Sequence, residues 1–231
     1  MRIGFFTDSH YSSRELTCKV RRNSLSLEKI REAYRYFEDQ RCDLVICLGD
    51  LTDREDTHEE ERARVLQAAE VISASRIPTV CVMGNHDGFC FSPEEFYGLL
   101  GGCRPVDFTV EGKTFLFLDA CYFENGIHYG PGPSDWKNTY YPHCGRLKEA
   151  LDRAEGEVYV FLHQNLDPEI NDAHRVNNAP QIRQILEESG KVKTVYQGHY
   201  HKGNRCLHKG IRYVTFPAMC ENENARFAEE I

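Results

Sequence analysis

The feature that most constrains this chain is the order in which short apolar runs and helical repeats alternate. "RIGFFTD", "DLVICLGD" and "TVCVMG" are too short for helices and rich in β-branched or aromatic residues, so they read as buried strands. Between the first two, Ser24 to Gln40 sets Leu27, Ile30, Tyr34 and Phe37 on one helical face, with Ser24 as the expected N-cap. Thr57 to Ser75 repeats the pattern with Val65, Leu66, Ala69 and Ile72. Strand–helix–strand–helix–strand order implies a parallel sheet with helices on its faces. A short helix over 93–100 follows, and then "VDFTVEGKTFLFLDA" alternates about "EGK" as a hairpin does. A long loop over 122–144, a helix near Leu147 to Ala154 and the strand "EVYVFLH" come next. They lead to a polar loop from Gln164 to Asn177, a helix near Pro180 to Ser189, the strand "VKTVYQGH" and a hairpin in "NRCLHKGIRYVTFP". "ARFAEEI" is expected to be the last strand of the second sheet. No repeat or linker interrupts this α/β pattern, and residues 1–231 read as one domain.

Five of the predicted strands end on polar groups. These are Asp8-Ser9-His10, Gly49-Asp50-Leu51-Thr52-Asp53, Gly84-Asn85-His86-Asp87, His163, and Gly198-His199-Tyr200-His201. Any one of them alone is an ordinary turn former, cap or bystander. Sites in open α/β sheets gather at the carboxyl ends of strands, and here five ends carry metal-competent types together. Carboxylate, imidazole and amide oxygen suit Mn, Fe or Zn, and no cysteine is expected in the set. His58, His128, His143 and His208 fall in loops or at a helix start and read as surface groups. His174 stays open, because its loop follows His163.

Asp8-x-His10, "GDLTD", "GNHD", His163 and "GHYH", in that order from residue 2 to about 217, resemble the calcineurin-like metallophosphoesterase superfamily. That resemblance implies a four-layer αββα sandwich, two mixed sheets flanked by helices, with two divalent metal ions (Mn, Fe or Zn). It implies that Asp8, His10, Asp50 and His201 hold one metal, that Asp50, Asn85, His163 and His199 hold the other, and that Asp50 bridges. A hydroxide between the metals attacks phosphorus in such a site. His86 then stabilises the phosphoryl group and protonates the leaving oxygen, Asp53 orients His86, and Asp87 serves the turn. "RRNSLSLEKIREA", "LGDLTD" and "GIRYVTFPAMCE" are similar to manganese-dependent ADP-ribose/CDP-alcohol diphosphatases. His10 stands where those have Gln, and resembles the broader cyclic-nucleotide-phosphodiesterase-like branch. Met83 replaces the Arg that protein phosphatases place before "GNH".

The expected activity is therefore hydrolysis of a phosphodiester or phosphoanhydride in a small phosphorylated substrate, with a nucleotide as one candidate. A phosphomonoesterase, a nuclease and a non-catalytic metal-binding interaction module are the alternatives; scaffolds of this fold generally lack the intact ligand set retained here. Net charge is −8, so no basic field draws in duplex nucleic acid. No apolar stretch reaches the roughly 18 residues a membrane span needs, and none resembles a signal peptide. Ten cysteines occur without a CxxC, several of them (Cys47, Cys81, Cys121) inside strand-like runs, which suits free thiols in a reducing cytoplasm. The loop aromatics Tyr122, Phe123, Tyr129, Trp136, Tyr140 and Tyr141 leave two readings open. Either they pack the loop, or Trp136 and Tyr140 flank the metal cleft and stack on a nucleobase.

Overall fold

The computed structural model describes residues 1–132 and 136–231. In chain order the elements are β1 (Arg2–Phe6), α1 (Ser26–Asp39), β2 (Leu44–Cys47), α2 (His58–Ala74), β3 (Thr79–Cys81), α3 (Asn85–Cys90), α4 (Pro93–Leu99), β4 (Phe108–Val110) and β5 (Lys113–Phe117). Then follow α5 (Cys144–Arg153), β6 (Glu157–Phe161), α6 (Ala179–Ser189), β7 (Val192–Gln197), β8 (Asn204–His208), β9 (Ile211–Thr215) and β10 (Phe227–Glu230). One sheet has the order β10-β1-β2-β3, the other β4-β5-β6-β7-β9-β8. Both are mixed: β1, β2 and β3 run parallel, as do β5, β6, β7 and β9, while β10, β4 and β8 pair antiparallel at edges.

Strand alternation builds the layers. Ile3, Phe5, Leu44 and Ile46 face inward and meet Phe115, Phe161, Tyr196 and Phe216 of the opposite sheet in one buried cluster. Rings stack across that seam, Phe5 on Tyr196 at 4.8 Å and on Phe216 at 5.0 Å between centroids. Phe6, Val45 and Cys47 point the other way, into Ile30, Tyr34 and Phe37 of α1 and Val65 of α2. Val158, Val160 and Val195 likewise meet Leu147 and Leu151 of α5 and Ile182 of α6. Apolar residues on both faces of each strand are what a sheet covered on two sides requires. The order helix, sheet, sheet, helix is the expected four-layer sandwich.

Three local expectations need correction. Ser24 caps nothing: residues 23–25 form a short 3-10 turn, and Leu25 occupies the N-cap position without a side-chain bond. The start of α1 is fixed instead by Asn23, whose amide donates to His10 O at 2.6 Å, and by the Ser26 hydroxyl, which donates to Ser9 O. Residues 227–230 do form a strand, but in the first sheet, with Phe5 opposite Phe227 and Arg2 opposite Glu230. Asp87 serves more than its own turn. Its buried carboxylate accepts from Gly84 N at 3.0 Å and reaches across to Leu51 N and Thr52 N at 3.1 and 3.2 Å, tying α3 to the loop after β2. The second helix forms over His58–Ala74, where Thr57 closes a capping box with Glu60, and all ten cysteines are free.

Gly4 marks a place where the first sheet and α1 touch. A Cβ there would lie 2.6 Å from a ring carbon of Phe37, a fully buried side chain. Gly4→Ala is therefore expected to cost about 1–3 kcal/mol, the usual penalty for over-packing. Urea unfolding measures it, and an unchanged midpoint would mean the Phe37 ring yields freely.

Candidate metal centre

The parallel strands of the two sheets point their carboxyl ends to one seam, and the loops there cross from sheet to sheet. His163 Nδ1 lies 2.7 Å from Leu48 O, and His199 N–H donates to Asp8 Oδ2 at 2.9 Å. A Cβ on Gly198 would stand 2.1 Å from Thr7 Oγ1, so only glycine permits this approach. Asp8, His10, Asp50 and His199 all adopt left-handed backbone, with φ of 51°, 45°, 51° and 65°. Side chains other than glycine rarely take that conformation, and such strain concentrates at sites that need it.

The predicted donors converge. Asp50 Oδ2 is 3.2 Å from His163 Nε2 and 3.5 Å from His10 Nε2. It stands between a member of each expected set. His201 Nε2 is 3.3 Å from Asp8 Oδ1 and 3.2 Å from His10 Nε2. Asp50, His163 and His199 present ligand atoms within 4.8 Å of one another. Asp8 Oδ1, Asn85 Oδ1, His163 Nε2 and His199 Nε2 are buried with no hydrogen-bond partner among the described residues. Each such orphan costs on the order of 1–3 kcal/mol. Their concentration in one place, with carboxylate, amide and imidazole donors together, fits divalent cations.

Outer contacts aim the rings. A carbonyl or carboxylate oxygen only accepts, so His163 Nδ1–H faces Leu48 O and His201 Nδ1–H faces Glu221 Oε1 at 2.5 Å. In the neutral rings both Nε2 lone pairs then point inward, the usual arrangement for a metal-binding imidazole. His86 Nδ1 meets Asp53 Oδ1 at 2.8 Å, which turns its other nitrogen to the cavity that it lines. Burial works against charge on His163, yet Asp50 and Asp8 raise it to about 10. Burial and the neighbouring His86 bring His10 down to about 4. Asp87 is pushed up to about 7 by burial and by Asp50, against the pull of the Gly84 and Thr52 amides. Asp53 goes the other way: burial raises it, but its bond to His86 takes it well below the carboxylate range.

The cavity over these groups measures about 580 Å³, within the span of small-molecule sites. Trp136 and His174 form one wall, their rings 5.2 Å apart and 5.9 and 5.6 Å from His199. His174, left open by the sequence, is thus beside the centre. Tyr140 is not; it lines a separate hollow with Phe123 and Asn138, while Tyr129 and Tyr141 are buried in packing. His58 pairs with Glu61 and Glu95, and His128 with Asp119, away from the cavity. Arg21, Cys220 and Glu221 were missed. Arg21 lines the cavity, with Nη1 3.6 Å from Asp53 Oδ2. Cys220 Sγ lies within 4.8 Å of ring nitrogens of His10 and His201, so a cysteine does join the cluster. "RRNSL" and "AMCE" carry a family likeness, and neither has a local pattern that marks a site.

A family model described as calcineurin-like phosphoesterase matches residues 1–203. The 3',5'-cyclic adenosine monophosphate phosphodiesterase CpdA of Escherichia coli (strain K12) is 26% identical over 227 residues, covering 95% of this chain and 76% of its own. A "probable cyclic nucleotide phosphodiesterase" of Psychrobacter sp. is 25% identical over 196 residues, or 78% of this chain. The match spans only 53% of that protein's length. Among solved structures, a dimetal phosphatase from Danio rerio superposes with a TM-score of 0.83 at 18% identity, covering 98% of this chain and 91% of that one.

Cation binding at so many orphaned donors should stabilise the fold. With Mn²⁺ at a hundred times its dissociation constant, about 2.7 kcal/mol is expected. Thermal unfolding with Mn²⁺ against unfolding with EDTA tests this, and coincident transitions would count against a metal site.

Proposed function

The chain belongs to the calcineurin-like phosphoesterase family, and on that premise we propose that it hydrolyses a phosphodiester or phosphoanhydride bond of a small nucleotide-like substrate. The observation that carries this reading is the cluster of buried, unpartnered donor atoms under an open cavity. Asp8, His10, Asp50 and His201 would hold one divalent cation, and Asp50, Asn85, His163 and His199 the other. When bound, the pair supplies Lewis acidity to phosphoryl oxygens and activates a water. The protein's own share is positioning and proton handling. Asp50, with Oδ1 fixed by the His86 amide at 2.8 Å, keeps Oδ2 between the two sets. His86 lines the cavity and holds a proton for the leaving oxygen, and Asp53 fixes its ring. The relatives named for cyclic nucleotides support a nucleotide substrate, and Trp136 offers an indole at the cavity wall on which a base can stack.

Three outcomes test the assignment. Asp50→Asn should lower bound Mn from two ions per chain and abolish turnover, measured by elemental analysis and by bis-(p-nitrophenyl) phosphate hydrolysis. His86→Ala should keep its metals while turnover falls roughly 10²–10⁴-fold, with Asp53→Asn doing less; loss of metal or full activity would refute the role of His86. Trp136→Ala should raise KM for a cyclic nucleotide or ADP-ribose by roughly 10-fold, as loss of base stacking does. The KM for bis-(p-nitrophenyl) phosphate should stay put, and Tyr140→Ala should alter neither. Equal effects of Trp136→Ala on both substrates would assign the indole to packing.

A further inference from the structure

The loop after β9 brings a sulfur atom to one side of the donor cluster. Main-chain bonds fix it there, Met219 N–H to Thr7 O at 3.0 Å and Cys220 N–H to Asp8 O at 3.1 Å. Cys220 is fully buried and in no disulfide, and its thiol has no hydrogen-bond partner among the described residues. Its Sγ and one ring nitrogen each of His10 and His201 lie within 4.8 Å of one another. Asp8 Oδ1, itself buried and unpartnered, is 3.3 Å from His201 Nε2 on the same side. The next residue, Glu221, holds the far nitrogen of His201. Asp50, His163 and His199, on the other side, form a cluster that includes no thiol among the described residues.

We infer that Cys220 is a sulfur donor to the cation held by His10 and His201, so that the two cation positions differ in kind. The inference rests on the dinuclear reading above. A thiolate selects softer ions, so the position beside Cys220 favours Zn or Fe(II), while the oxygen and nitrogen position accepts Mn. Binding releases the thiol proton to solvent, because the thiolate is the ligand form. Glu221 supports the same position by keeping His201 Nε2 turned inward.

Cobalt makes the sulfur visible. Chelator-treated protein titrated with Co(II) should take up two ions per chain and develop thiolate-to-cobalt charge-transfer absorption in the near ultraviolet. Cys220→Ser and Cys220→Ala should lose that band while still binding at least one cobalt. X-ray absorption at the zinc edge of the unsubstituted protein should find sulfur at about 2.3 Å, a measurement that does not depend on either variant folding. Two bound ions with no charge-transfer band and no sulfur neighbour would overturn the inference while leaving the dinuclear reading intact. A band that persists in both variants would overturn it too, by assigning the sulfur to another cysteine. Failure to bind any cobalt would sink the dinuclear reading itself, and this inference with it.

Discussion

Two carboxylates buried at the seam between the sheets, Asp8 and Asp50, set the terms for everything around them. A buried charge is costly unless it is paired and hydrogen-bonded. Here each carboxylate has one oxygen tied down, Asp8 Oδ2 by Thr7 Oγ1 and His199 N, and Asp50 Oδ1 by His86 N. The other oxygen of each is left among imidazoles. The loops of both sheets bend to make this possible, through left-handed residues and through glycines too close to neighbours to carry a Cβ. At Gly84 that Cβ would sit 2.2 Å from Asp50 Oδ1. Donor geometry and backbone strain at this seam therefore have one source.

The packing at the seam also sets how the two halves of the donor cluster face each other. Aromatic rings from both sheets stack directly beneath it, Phe5 against Tyr196 and Phe216, and Phe161 against Tyr196. Close-packed interiors transmit small displacements instead of absorbing them. The relative setting of the sheets thus fixes the separation of Asp8 and Asp50 on one side from His163 and His199 on the other.

The strands and their polar ends were legible because both depend on local pattern. Runs such as "LVIC" are apolar on both faces, and a group placed just after a parallel strand has only one edge of the sheet to occupy. The sheet joined by residues 227–230 was not legible, since "FAEE" has no strong face and its partner is chosen by tertiary fit. Ser24 looked like a cap because its type is right, but the chain used Asn23 and Ser26 to anchor the helix to the centre instead. Trp136 and Tyr140 are alike in sequence texture, and only the path of the loop separates the cavity wall from an unrelated hollow. Cys220 and Glu221 reach the centre because the amides of Met219 and Cys220 bond to Thr7 O and Asp8 O, a convergence that leaves no trace in neighbouring residues.

The pairing of β10 with β1 has a kinetic side. Arg2 lies opposite Glu230, so β1 finds this neighbour at a very large sequence separation. Until residues 227–230 dock, one edge of β1 shows a row of unsatisfied amides and carbonyls, the kind of edge that recruits strands from other molecules. Closing so long a loop is slow, because its entropy is lost before the contacts that compensate for it form. β1 can pair with β2 early, but its other edge waits for residues 227–230. Before β10 arrives, that edge of β1 is open to misassembly, and a chaperone that shields strand edges would protect it in this interval.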